Sequence, residues 1–406
     1  MKNKFKIKYT NMKKLNKIGY SLKDVAIVQA PISFQLSRKN VNPYVNICNR
    51  SVLPIFVSPM SAVTDENNYK TWIDNKVTPV VPRTVMQRLT IKERLTIAHE
   101  TFVSFSLQEI YKIYNNINKD KVKTYFENIK KPIYICIDIA HGTLSSLYDI
   151  CAKIKIVFGD NVIIMTGNIA NPKAYIKYCQ CGIDYVRLSV GTGSRCTSSA
   201  NVGLHYPMAT LINEIVNERD TIVTYNKISK DNKIKFTKII ADGGIGWYDD
   251  INTAIALGAD AVMIGRCFAE CEEACGEWHW AWNEAAANNN NWLSTEEKDN
   301  WIKLIDNGEM EPDPGPYGNP YKLKPYRNYY GMSTRTAQAE TSNVCNKTSE
   351  GIAKHVEIKY PVKKWLNNVE SYLRSAMTYT NSATIEDFNK AECIILGGST
   401  YQTYAK

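Results

Sequence analysis

From residue 54 onward the sequence alternates short apolar, β-branched runs with longer stretches of helical period, and it does so eight times. The runs are Pro54–Met60, Val77–Arg83, Thr101–Leu107, Pro132–Ala140, Asn161–Ile169, Tyr185–Gly191, Lys238–Ile245 and Ala261–Phe268. Repeated strand-then-helix units predict a parallel sheet covered by helices. Open doubly wound sheets usually stop at five or six strands, so eight such units predict a closed (β/α)8 barrel of the TIM type. The chain has 406 residues. Barrels routinely pass about 250 residues as one unit, which leaves room for a single large core plus an insertion.

The expected organisation is a basic tail over residues 1–18 and one barrel domain over residues 19–406. Two stretches exceed the minimal unit. Residues 278–326 run from Trp278 through the Asn288–Asn291 cluster and the Pro/Gly-rich Glu311–Tyr321, and read as an insertion with some helix and much loop. Asn328–Glu357 is polar and rich in Ser, Thr and Asn, a composition that suits an active-site loop, with the flap placed at residues 333–350.

Hydrophobic residues make up 44% of the chain and charged residues 22%, which excludes a mostly disordered or collagenous protein. No run reaches the 18 or so apolar residues that cross a bilayer, and residues 1–20 lack the apolar centre of a secretory signal, so the expected location is cytoplasmic with no membrane partner. The eleven cysteines read as free thiols in a reducing compartment. The net charge of +10 owes most of its excess to Lys2, Lys4, Lys6, Lys8, Lys13, Lys14 and Lys17 in an opening segment without acids. That is a solvated tail on a nearly balanced chain, and no nucleic-acid partner is expected.

In such a barrel the C-terminal strand ends face the active site. Asp138 closes the fourth strand, Asn168 the fifth, and Asp242-Gly243-Gly244 the seventh, while Cys196 follows the sixth. Taken singly each is an ordinary cap or turn residue; four together at one mouth point to a site. The run Val190-Gly-Thr-Gly-Ser-Arg-Cys196 is the strongest feature. Gly191 and Gly193 let the backbone approach a ligand, and Ser194 with nearby amides suits phosphate oxygens. Cys196 sits beside Arg195, a polar and cationic setting that favours a thiolate nucleophile. The Asp242-Gly-Gly-Ile245 turn and the Met263-Ile-Gly-Arg266 turn fall after strands seven and eight, where barrels commonly bind phosphate. Cys267, Cys271, Cys275 and His279 recur every four residues, but on one helix the outer two would lie about 18 Å apart and could not share a zinc ion.

With these residues placed, the chain resembles the IMP dehydrogenase/GMP reductase family from about Gly19 to Ile395. Leu22-Lys-Asp-Val25, Ser58-Pro-Met60, Asp138-Ile-Ala-His-Gly142 and Thr166-Gly-Asn-Ile169 are similar to the family's successive motifs. Gly191-Thr-Gly-Ser-Arg-Cys196 resembles its catalytic Gly-Pro-Gly-Ser-x-Cys. Ala241-Asp-Gly-Gly-Ile245, Gly265, Tyr330-Gly-Met-Ser333 and Ser349-Glu-Gly351 complete the series.

The resemblance implies a purine nucleoside 5′-monophosphate bound covalently through Cys196 at purine C2, with a nicotinamide cofactor, NADPH or NADH, exchanging hydride with that carbon. It assigns phosphate contacts to Ser194, Gly244, Gly265 and Tyr329, with Arg266 as an added anion ligand, and the ribose hydroxyls to Asp242 beside Gly243. Ser58, Met60, Met332, Ser333, Lys347, Ser349 and Gly351 are the further substrate contacts. Asp138, Asn168 and Ser104 are assigned to the cofactor side. It also implies a potassium ion held at Gly191, Gly193 and Cys196, and a homotetramer.

The family's dehydrogenases activate water with an Arg-Tyr pair on a long flap and usually carry a regulatory domain pair after strand two. Here Arg83–Thr101 is too short for the pair, and Met332–Glu350 contains no Arg-Tyr dipeptide. The spacing is closer to GMP reductase, with Ser198 and Glu350 at the positions of its proton-handling dyad and Arg83 at its Lys/Arg position. The departures are Pro82 for His, Ser189 for Gly, Thr192 for Pro, Ser199 for Arg and Arg266 for a phosphate-binding Ser. A dehydrogenase without regulatory domains and a nucleotide-binding pseudoenzyme remain the alternatives to a reductase.

Overall fold

The computed structural model describes residues 18–116, 124, 131–193, 198–228, 234–309, 320–331, 334–341 and 351–397. Its centre is a closed barrel of eight parallel strands: β1 (Ile55–Val57), β2 (Thr78–Val81), β3 (Phe102–Phe105), β4 (Ile133–Asp138), β5 (Val162–Ile169), β6 (Tyr185–Leu188), β7 (Lys238–Asp242) and β8 (Ala261–Ile264). Each falls inside one of the eight runs expected from the sequence. Neighbours in sequence are neighbours in the sheet, and β8 closes on β1 through Met263 opposite Phe56.

Strand periodicity divides the side chains into two layers. Phe56, Val80, Phe102, Tyr134, Cys136, Met165, Tyr185, Ile240 and Met263 fill the interior. Phe102 lies 5.4–5.7 Å from Phe56, Tyr134 and Tyr185 by ring centroid, at edge-on or tilted angles that aromatic pairs prefer. Ile47, Cys48 and Val52, from the hairpin formed by Val45–Ile47 and Arg50–Val52, join this cluster beside Tyr134 and Tyr185 near the strands' N-terminal ends. One mouth of the barrel is thereby plugged, and the other is left for a ligand.

The outward residues, among them Ile55, Val103, Ile135, Ile137, Val186, Leu188 and Ile239, pack beneath the helices. These are α1 (Tyr69–Asp74), α2 (Ile91–Ile97), α3 (Leu107–Asn116), α4 (Ser145–Phe158), α5 (Ala174–Gln180), α6 (Met208–Ile228), α7 (Tyr248–Ala256) and α8 (Val362–Tyr379). In α4, Leu147, Ile150, Cys151, Ile154 and Phe158 form the buried stripe, and Gly159 ends the helix at φ +54°. Each such side chain contributes about 1.5–3 kcal/mol when fully buried. Helix α8 starts after Pro361, buries Val362, Trp365, Leu366, Val369, Leu373 and Met377, and sets Trp365 edge-on to Phe268 at 5.1 Å. It is the barrel's eighth helix, far in sequence from β8.

The intervening stretch departs from the expected helix and loop. It builds a four-stranded antiparallel sheet in the order β10 (Leu293–Ser294), β9 (His279–Ala281), β11 (Lys324–Tyr329), β12 (Lys354–Glu357), with helices Glu284–Asn288 and Thr295–Asp306. Two- to six-residue strands that pair across long gaps leave no local signature, because the fourth strand lies beyond the expected insertion boundary. The polar stretch Asn328–Glu357 likewise contains helix Arg335–Thr341 and β12. The cysteine and histidine repeat is not one helix: helical structure ends at Ala269, and His279 opens β9.

Candidate active site

A cavity of about 1650 Å³ opens at the C-terminal ends of the strands. Ser58 and Met60 reach it from β1, Arg83 from β2, Asp138 from β4, Asn168 from β5, Asp242, Gly243 and Gly244 from β7, Gly265 and Arg266 from β8, and Tyr329 from β11. The sequence assigned these residues separately; the fold puts them around one cavity.

What holds them is Arg187, which the sequence reading missed. It lies in β6, buried, with Nη1 donating to Asp138 Oδ1 and Nε donating to Asp242 Oδ2, both at 2.8 Å. Asn168 Nδ2 donates to the same Asp242 oxygen at 2.8 Å, and Arg83 Nε lies 4.0 Å from Asp138 Oδ2. Burial alone would lower the guanidinium's pKa, yet the adjacent Asp242 and Asp138 carboxylates outweigh it and hold Arg187 well above its ordinary value. Two acids are thus fixed in place by one cation. With Oδ2 occupied twice, Asp242 Oδ1 has no hydrogen-bond partner among the described residues and remains an acceptor at the cavity wall.

The glycine turns are required by close approach. At Gly191 φ is +80°, and a Cβ would fall 2.5 Å from the Leu204 carbonyl oxygen; on Gly265 it would fall 2.6 Å from Tyr329 Oη and 2.8 Å from Met60 Sδ. Gly265 therefore joins Met60, Tyr329 and, at 3.5 Å, Ser58 Oγ in one compact group. Ser189 occupies φ +126°, a conformation suited to the glycine that the resemblance places there, and its hydroxyl bonds to Thr192 Oγ1. A Cβ on Gly243 would lie 2.8 Å from that same Thr192 oxygen, so the β6 and β7 loops rest on each other.

Ser194, Cys196, Met332, Ser333, Lys347, Ser349 and Glu350 lie outside the described residues, as does the side chain of Ser198, which opens the short helix Ser198–Asn201. Gly191 and Gly351 are described but do not line the cavity. Ser104 is also apart from it, fully buried in β3 opposite Cys136. Besides Arg187, the wall includes His205, Trp247, Glu270 and Lys359, none anticipated. A charged residue inside the apolar run Tyr185-Val-Arg-Leu188 was the available signal for Arg187, since a buried cation requires anionic partners.

Residues 119–287 match the family model described as IMP dehydrogenase / GMP reductase domain. Over that stretch the chain is similar to the IMP dehydrogenase / GMP reductase family. It is 28% identical over 273 residues to the inosine-5′-monophosphate dehydrogenase of Borreliella burgdorferi, covering 67% of this chain and 57% of that protein. It is 27% identical over 265 residues to the GMP reductase of Photobacterium profundum, covering 65% and 61%. A shorter match of 143 residues, 36% identical, to the inosine-5′-monophosphate dehydrogenase of Chlorobaculum parvum covers 35% and 26%. The chain thus spans between about a quarter and three fifths of these relatives. Both enzyme names occur at similar identity, so similarity does not rank one above the other.

Proposed function

We propose that this chain is a GMP reductase-like oxidoreductase that converts GMP to IMP and ammonia with NADPH, or NADH, through a covalent bond from Cys196 to purine C2. The observation that carries the nucleotide reading is the Arg187 clamp: it presents Asp242 with one oxygen that no described residue bonds, suited to a ribose diol, beside Gly243, Gly244 and Gly265. The reductase reading draws on the β2–β3 link, where a 3-10 turn at Arg83–Gln87 and α2 lead directly to β3 without a regulatory domain pair. Arg83 sits at that link, near Asp138. The dehydrogenase relative from Borreliella burgdorferi keeps IMP oxidation as the second reading.

A nicotinamide cofactor fits the cavity, whose volume exceeds the roughly 300–1,000 Å³ of a pocket for one small molecule and so accommodates two ligands. Asp138 and Asn168 would hold it, with Arg83 beside Asp138 as a catalytic residue, and bound there it would supply hydride to C2. Cys196 adds to C2 as thiolate, ammonia departs with a proton from Glu350 relayed by Ser198, and the thiolate leaves again once C2 is reduced. Potassium at the carbonyls around Gly191, Gly193 and Cys196 belongs to the same proposal. So does a homotetramer, for which the exposed row Ile32, Phe34 and Leu36 offers apolar surface. A cytoplasmic location suits the free cysteines. No helix among the described residues is long and apolar enough to cross a membrane.

Glu350→Gln tests the deamination step. It should still bind GMP and cofactor, yet release ammonia at least about 100-fold more slowly in a single turnover. Unchanged ammonia release and cofactor oxidation would remove Glu350 from the mechanism.

A further inference from the structure

Three charged side chains on the β8 side of the cavity form a group of their own. Arg266 donates through Nε to Glu270 Oε1 at 3.1 Å, and Lys359 Nζ lies 3.1 Å from Glu270 Oε2. The Tyr360 hydroxyl also donates to that second oxygen, at 3.3 Å. Glu270 is buried, whereas Arg266 and Lys359 each leave 41% of the side chain exposed, and all three line the cavity.

The backbone explains how residues so distant in sequence meet. Arg266 and Glu270 are one turn apart on the short helix that follows Gly265. The segment leaving β12 is stitched alongside, with Lys359 N–H donating to the Glu270 carbonyl at 2.8 Å and Glu272 N–H to the Tyr360 carbonyl at 3.1 Å. Lys359 is thereby pinned opposite Arg266, with the buried carboxylate between them.

Glu270 alone bonds both cations, with Glu284 acting on Arg266 at longer range, and the three bonded groups together carry a charge of +1 at the cavity. Glu270 takes the Nε of Arg266; its Nη1 and Nη2 have no partner among the described residues, and neither does Lys359 apart from Glu270. A guanidinium edge and an ammonium that share one carboxylate and line the same cavity match an oxyanion with several acceptor oxygens.

We infer that Arg266 and Lys359, held from behind by Glu270, form a two-cation seat for a phosphate dianion, with Lys359 as a ligand of the nucleotide's phosphate. The inference rests on the reading of the cavity as a nucleoside monophosphate site. Lys359 is half-exposed, so its substitution leaves the core intact.

Isothermal titration of the full chain with inorganic phosphate, GMP and guanosine tests it. Lys359→Gln should weaken phosphate and GMP each by about 10-fold or more, the effect of one charge-assisted hydrogen bond, and leave guanosine unchanged. Lys359→Arg should restore most of the loss. Phosphate weakened by Lys359→Gln in a protein that does not bind GMP would uphold the seat and refute the nucleotide reading. Equal affinities in wild type and Lys359→Gln, equal loss of guanosine, or a wild type that takes neither phosphate nor GMP would overturn the seat.

Discussion

Arg187 stands between two carboxylates on the cavity wall, and its removal would leave Asp138 and Asp242 without their shared cation. Breaking a buried pair by deleting one partner costs about 3–5 kcal/mol, so Arg187→Met should lose that much in urea unfolding; a loss below about 1 kcal/mol would mean that solvent replaces the clamp. Ser189 carries a different strain. Ser189→Gly and Ser189→Ala both forfeit the hydroxyl contact to Thr192, so the difference between them isolates the backbone at φ +126°. The Gly variant should be the more stable by about 1 kcal/mol or more in the same assay, and equal stabilities would contradict the strain. Asp138, Asn168 and Asp242 were legible because polar residues at strand ends have a fixed destination in a barrel. The residue that binds them together was not, since its partners lie on two other strands and only the closed sheet aligns them.

The eight barrel strands could be read from the sequence because each is a short, mostly apolar run whose residues are largely buried. The β9–β12 sheet could not, for its strands are short and its partners remote, and the same elements carry a pair of histidines whose protonation bears on stability. His279 on β9 and His355 on β12 lie 5.1 Å apart by ring centroid, with Trp292 4.0 Å from His279. Burial, with a smaller contribution from His279, pushes His355 down to about 4, and burial lowers His279 as well. In an unfolded chain both would titrate near 6.5, so between about pH 6.5 and 4 the unfolded state binds more protons. Stability is full above about pH 6.5 and falls as pH drops toward 4, where His355 takes up its proton in the folded state. His355→Gln should flatten that part of the stability profile in chemical unfolding followed from pH 7 to 4.5; a wild-type profile flat over that range would contradict the depressed value.

The whole molecule joins a barrel plugged at one mouth to a cavity at the other, with the sheet after β8 supplying Tyr329 and, just beyond β12, Lys359 to that cavity. An element inserted between β8 and α8 thus shapes the site, which explains why composition alone gave it no role. The central claim is the reduction of GMP, and it is tested most directly by absorbance at the reduced-nicotinamide band with ammonia measured in parallel. GMP with NADPH or NADH should lose absorbance and release one ammonia per cofactor oxidised, and Cys196→Ala should abolish both while still binding GMP. Absorbance gained with IMP and oxidised cofactor, with none lost to GMP, would contradict the account in favour of a dehydrogenase; silence with both nucleotides would contradict it in favour of a binding protein.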